Sequence, residues 1–180
     1  MNRAIWDTAG AMSAVRLLRR HPLGRRCPGS RPDRGRLGRV RARKKGTATA
    51  GVKRQHMGCA GGIDNGINLV HLAYVRAGTG HALIGSRQWI PAEQISDPIK
   101  AIITGLPLEL TFATKGELAI GLLRYAYADG VGLDFVAGDD VYGTCPTLRA
   151  FLEEHDQAYV LRVGATFVLT LGGGTCLTCE

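Results

Sequence analysis

Asp139 and Asp140 are the residues of this sequence best placed to do chemistry. They follow Gly138 and the short run Leu133 to Ala137, which is apolar except for Asp134. A run of that kind reads as a buried strand. In open α/β sheets, ligands and metals collect beyond the carboxyl ends of strands, where loops converge and side chains are held rigidly. A carboxylate fixed there can hold a hard divalent cation such as Mg²⁺, which takes oxygen ligands and keeps several waters. One carboxylate is not a metal site, and an Asp-Asp pair after a strand also serves as a turn or a helix cap.

Other reactive residues are scattered. Cys176 and Cys179 have zinc-knuckle spacing, but a structural zinc needs four ligands and no second Cys/His pair of suitable spacing accompanies them. His21, His56, His71, His81 and His155 form no cluster in sequence. His71 falls inside a predicted strand and His81 at a strand start, where packing or hydrogen bonding is the expected role. No Ser or Cys sits in a nucleophile-elbow motif, so a hydrolase triad has no support. Lys44, Lys45, Lys53 and Arg54 cluster among glycines, either as phosphate contacts or as a solvated loop.

Positioning Asp139 requires a sheet, and the sequence supplies its parts. Ile67–Val75 is rich in β-branched and aromatic residues, Gly78 to Gly80 makes a turn, and His81–Ile90 returns, which predicts a hairpin. The stretch 93–104 is polar and partly helical, with Pro98 opposing one continuous helix. A helix is predicted over Lys115–Asp129: Leu118, Ala119, Leu122, Leu123, Tyr125 and Ala126 recur at three and four, Glu117 sits in the first turn and Gly130 stops it. After the strand before Asp139 comes a second helix, Pro146–His155, capped near Thr144 or Cys145, with Leu148, Phe151 and Leu152 as its apolar face. Ala158–Val163 then reads as a strand parallel to the previous one, the helix serving as crossover. The order predicts an α/β sheet of mixed direction with helices packed on it.

The 180 residues contain 23 Lys/Arg and 15 Asp/Glu, and the charge is divided unevenly. Residues 1–54 hold 16 Lys/Arg and 2 Asp/Glu, a net of +14; the remainder hold 7 and 13, a net of −6. A short helix is possible over Ala11–Arg20. From His21 to Lys45, eight Arg and two Lys stand against one Asp with scarcely any large apolar residue, which predicts disorder. Such a tail could neutralise nucleic-acid phosphates, although no aromatics are interleaved for stacking. Arg-, Gly- and Pro-rich runs also arise when GC-rich DNA is translated out of frame. The Arg-rich start lacks the Ser content and the amphipathic stripe of a transit peptide. Five cysteines at irregular spacing do not describe a secreted disulfide framework, so the chain reads as reduced and cytoplasmic. The longest uncharged run, 163–179, is too short and too polar for a membrane span.

Several ordered blocks between Lys44 and Val163 carry a family resemblance. Lys44-Lys45-Gly46-Thr47, Gly51-Val52-Lys53-Arg54-Gln55-His56, Gly58 to Asn65, His81 to Ile84, Trp89-Ile90-Pro91, Phe112 to Lys115, Ala137 to Gly143 and Tyr159-Val160-Leu161 resemble bacterial insertion-sequence transposases of the DDE superfamily. Within that superfamily they are most similar to the group of insertion sequence seven-hundred-and-one. The resemblance implies a ribonuclease-H-like fold and DNA as partner, both insertion-sequence ends and target. It also implies Mg²⁺-dependent strand cleavage followed by strand transfer, in which three carboxylates hold two metal ions for an in-line displacement. By this resemblance Asp139 is the second carboxylate, catalytic and metal-binding, and Asp140 supports it. Lys44, Lys45, Lys53 and Arg54 become DNA contacts. Self-association is compatible with this reading; a membrane and a small-molecule substrate are not implied.

The departures shape the expectation. The family's first catalytic Asp stands six residues before its Lys-Lys-Gly, which here is Gly38, in the segment Gly38-Arg39-Val40-Arg41-Ala42-Arg43. Asp33 is the nearest acid upstream. The third carboxylate normally comes from a helix beyond the last parallel strand, where this chain has Gly172 to Cys179 and Glu180. The sequence thus predicts an incomplete ribonuclease-H-like α/β sheet, lacking the first catalytic strand and the Glu-bearing helix. Three segments are expected: 1–43, basic and disordered or out of frame; 44–163, a partial transposase domain; 164–180, a Gly/Thr/Cys-rich tail. Catalytic inactivity follows, with a non-catalytic basic nucleic-acid-binding protein as the alternative.

Overall fold

Strand β3 (Gly62–Arg76) organises the molecule, because partners line both of its edges. Its residues alternate: Val70, Leu72 and Tyr74 are buried while His71, Ala73 and Val75 point to the opposite face, the period-two pattern of a strand with one face on the core. The structure, a computed structural model, describes residues 32–164, 167–170 and 176–178. Along one edge of β3 runs β1 (Asp33–Arg43), antiparallel from Asp33 opposite Arg76 to Arg43 opposite Gly66. Along the other run β2 (Lys53–Met57) and β4 (Gly80–Trp89). The β3–β4 hairpin is the predicted one, turning through Gly78 at a φ of +82° that favours glycine.

Two short helices follow, α1 (Ala92–Ile95) and α2 (Pro98–Thr104), and Pro98 occupies the first turn of the second, where its missing N–H costs nothing. Helix α3 (Lys115–Ala128) begins with a reciprocal cap: Thr114 Oγ1 accepts from the Glu117 N–H at 3.2 Å, and Glu117 Oε2 accepts from the Thr114 N–H at 2.7 Å. Its buried face is Ala119, Leu122, Leu123 and Ala126. Tyr125, expected on that face, is 63 % exposed instead, and the Arg87 guanidinium lies 5.3 Å from its ring centre. The tyrosine sits at the margin of the stripe, where a cation can cover the ring.

Strand β5 (Phe135–Gly138) pairs in parallel with β1 on one side and with β6 (Tyr159–Leu161) on the other. Between β5 and β6 come α4 (Asp140–Gly143) and α5 (Pro146–Glu154), the latter burying Leu148, Phe151 and Leu152 as predicted. A separate pair, β7 (Val168–Thr170) and β8 (Cys176–Thr178), completes the described elements. The sheet order β2-β3-β1-β5-β6, with β4 also on β3, makes a mixed six-stranded sheet with flanking helices. This is the expected ribonuclease-H-like α/β architecture. No helix among the described residues is long and apolar enough to cross a membrane.

The N-terminal segment departs from expectation. Residues 33–43, read as part of a disordered tail, form the strand at the centre of the sheet, so the first strand is present. Its sequence hides this, since five of its eleven residues are Arg. The strand is held from outside: backbone ladders on both edges, Leu37 buried at 2 % exposure, and a two-pronged ion pair between Asp33 and Arg76 at its start. The ladder continues past its end, with the Lys44 N–H donating to Asn65 O at 2.9 Å, so the position between residues 43 and 44 lies within the sheet. The possible helix Ala11–Arg20, Cys179 and Glu180 lie outside the described residues.

Candidate active site

Asp139 stands where the sequence placed it, at the carboxyl end of β5. Val136, fully buried in the core, anchors that strand. Asp139 also caps α4, its Oδ1 accepting from the Val141 N–H at 3.1 Å. The turn-or-cap role and the strand-end role therefore fall on one side chain.

The β1–β5 register runs Arg34–Phe135, Gly35–Val136, Arg36–Ala137, and two steps further it brings Gly38 beside Asp139. Both residues line one open cavity of about 710 Å³. Gly38, six residues before Lys44-Lys45-Gly46, thus comes beside Asp139 and has no side chain. His71, directly across on β3, fills the space: a Cβ on Gly38 would lie 2.4 Å from His71 Nε2. Partial burial, with Arg36 adding to it, lowers the His71 pKa and favours the neutral imidazole. The backbone of Gly38 is pinned by Tyr142, whose fully buried hydroxyl donates to Gly38 O at 2.8 Å. Burial, followed by the Asp139 charge, raises the pKa of that phenol and keeps it a donor.

The next residue of β1 fixes the electrostatics. Arg39 Nε lies 3.2 Å from Asp139 Oδ2, and another Arg39 nitrogen lies 3.7 Å from Asp140 Oδ1. With Oδ1 on the Val141 N–H and Oδ2 on Arg39, both oxygens of Asp139 are engaged. Lys115, at the start of α3 with its ammonium 4.8 Å from the Trp89 ring centre, adds to the cationic side. Its pKa is lowered, chiefly by burial and then by Arg39 and Arg41, with Asp139 acting in the opposite direction.

An Mg²⁺ pair needs several oxygen donors around a shared point. Among the described residues no three His, Cys, Asp or Glu side chains converge to hold a metal. Beside Asp139 stand Asp140, the Arg39 guanidinium that contacts both carboxylates, and Gly38, so the described residues do not fit the metal pair. Asp33, the nearest upstream acid, is bound to Arg76 at the far end of β1.

The predicted DNA-contact residues lie elsewhere on the sheet. Lys44 and Lys45 are exposed just past β1, and Lys53 and Arg54 are exposed on β2, none of them lining the Asp139 cavity. Lys53 is paired with Glu93, Nζ to Oε1 at 2.5 Å. Sequence reasoning missed Arg36, Arg39 and Arg162 as site residues, although counting back from Lys44-Lys45-Gly46 to Gly38 pointed at Arg39's neighbour. The basic composition of the segment concealed them.

The fold is of the ribonuclease-H-like type, with Asp139 at a strand end. A family model described as DDE superfamily endonuclease matches residues 3–174, and the chain belongs to that family. The matched span extends beyond both 44 and 163, the limits of the sequence blocks that carried the resemblance. No curated protein matches the chain, and no solved structure matches it. The family makes DNA the substrate class and divalent-metal chemistry the general mode of its nucleases.

Proposed function

We propose that this chain is an insertion-sequence transposase domain of the DDE type that engages DNA but does not cut it. The observation that carries the reading is the pair Gly38 and Arg39 beside Asp139: the first carboxylate of the expected set is missing, and the second is taken by a guanidinium. In the family's reaction, Mg²⁺ ions would activate the attacking oxygen and stabilise the leaving one; among the described residues the donor set for them is not assembled. Lys44, Lys45, Lys53 and Arg54 are exposed and serve as DNA phosphate contacts.

The composition of β1 is unusual for its place in the sheet. A strand paired on both edges in the middle of an α/β sheet ordinarily reads as an apolar run. This one carries Arg at 34, 36, 39, 41 and 43. The family match runs from residue 3 through this strand, which supports its arginines as part of the domain.

The test of function is plasmid nicking in Mg²⁺ or Mn²⁺, with the Asp139→Ala chain alongside. Equal background for both is expected; nicking that depends on Asp139 overturns the reading. The second reading, a non-catalytic basic protein that binds nucleic acid through its N-terminal tail, is favoured by residues 1–43, which hold 12 Arg against 2 Asp. The two differ in salt dependence. Replacing Lys44, Lys45, Lys53 and Arg54 by Ala should flatten the log K against log salt slope by about 0.9 per lost duplex contact under the first reading. Under the second it should leave the slope nearly unchanged.

A further inference from the structure

The cavity beside Asp139 is built for an anion. Its floor is apolar, formed by Ala73 and Val75 of β3 and Ala137 of β5, the residues that alternate with the core positions Leu72, Tyr74 and Val136. Its rim is cationic. Arg36 and Arg162 line it, and among the described residues neither has an ion-pair partner. Arg162 is held at the mouth by its own backbone, the N–H donating to Gly138 O at 3.0 Å. The lining carboxylate, Asp139, already has its charge offset by Arg39. His71 and His81 complete the wall. Guanidinium groups bind phosphate oxygens through two parallel N–H donors, and an apolar floor beneath them suits the sugar and base on either side.

We propose that this cavity is a metal-independent phosphodiester site, in which Arg36 and Arg162 hold the phosphate of a DNA strand over the Ala73–Val75–Ala137 floor. The inference rests on the reading of the chain as a DNA-engaging domain without its metal pair. Arginine side chains supply the positive charge that a metal pair would otherwise bring to the scissile phosphate. Binding through them requires no divalent cation.

The experiment uses the full chain with ¹³C-labelled histidine imidazoles, in EDTA, titrated with the thymidine dinucleotide TpT, which carries one phosphodiester and no terminal phosphate. Inorganic phosphate is titrated in parallel. The signals of His71 and His81 should shift saturably with TpT and more weakly with inorganic phosphate. Arg36→Ala with Arg162→Ala should raise the TpT midpoint at least about tenfold, the loss of one charge-assisted contact or more. The Lys versions of both should recover part of it. Both arginines are exposed, so truncation leaves the core intact, and Arg162→Ala alone is the fallback if the double variant melts early.

A missing shift, an unchanged midpoint in the variants, or a shift appearing only with Mg²⁺ overturns the proposal. Equal affinity for inorganic phosphate reduces the cavity to a general anion site and overturns the phosphodiester assignment. Plasmid nicking on the same samples keeps the two readings separate: Asp139-dependent nicking removes the non-cutting reading, whereas the TpT titration in EDTA reads the cavity by itself.

Discussion

Strands β1 and β3 lie side by side over the whole length of β1 and could hardly differ more in sequence. β3 alternates buried Val70, Leu72 and Tyr74 with more exposed residues, and its identity as a strand is written in its own side chains. β1 buries Leu37 and Gly35, carries five arginines, and is a strand because of what flanks it. The contrast teaches that a central place in a sheet can be assigned by partners through backbone hydrogen bonds, while the chemistry at that place depends on the side chains the strand brings. β1 keeps the place and brings different side chains to it: Gly38 comes beside Asp139 without a carboxylate, and Arg39 reaches Asp139.

Four tests would break or sharpen this contrast. The largest effect is expected from Asp33→Ala, which strands the Arg76 guanidinium where both partners are only 12–13 % exposed. Breaking a largely buried pair from one side costs about 3–5 kcal/mol, to be read from urea unfolding. Next, Leu37→Ala and Leu72→Ala should each cost about 2–5 kcal/mol, because both side chains are in the same core cluster. A neutral Leu37→Ala beside a costly Leu72→Ala would mean that β1 is not docked as β3 is.

Arg39→Met should cost less than about 1 kcal/mol, since its pair with Asp139 is partly solvated. The smallest effect concerns pH. His71 has a folded-state pKa below its ordinary 6.5, so the unfolded chain binds the proton more readily than the folded one. Its contribution is at its full value above pH 6.5 and is lost as pH falls through that value toward the folded pKa. Stability measured by urea unfolding should therefore decline on acidification through that window, and His71→Gln should lessen the decline.

The fold was legible wherever side-chain pattern and structure agree. β3, helix α3 with its Glu117 cap and Gly130 stop, and α5 carry a period that matches burial, while β4, β5 and β6 were legible as short apolar runs bounded by turn and helix signals. β2, whose sequence is Lys-Arg-Gln-His-Met, was not legible, because a mostly exposed strand needs no apolar alternation. β1 was hidden by its arginines. At the site, Asp139 could be read from its position after an apolar run. Its partner Arg39 could not, because their contact comes from the parallel register of two strands about 100 residues apart in sequence. His71 looked like a packing residue and does pack, in the space over Gly38 that a side chain at that position would need.

The central claim is that Asp139 has lost the companions that make a metal site. Titrating Mn²⁺ into the full-length chain and into Asp139→Asn, with the free-ion signal followed by electron paramagnetic resonance, tests it directly. The account predicts the same weak, non-saturating loss of signal for both chains. Saturable, stoichiometric Mn²⁺ binding by the unaltered chain that disappears in Asp139→Asn would contradict it.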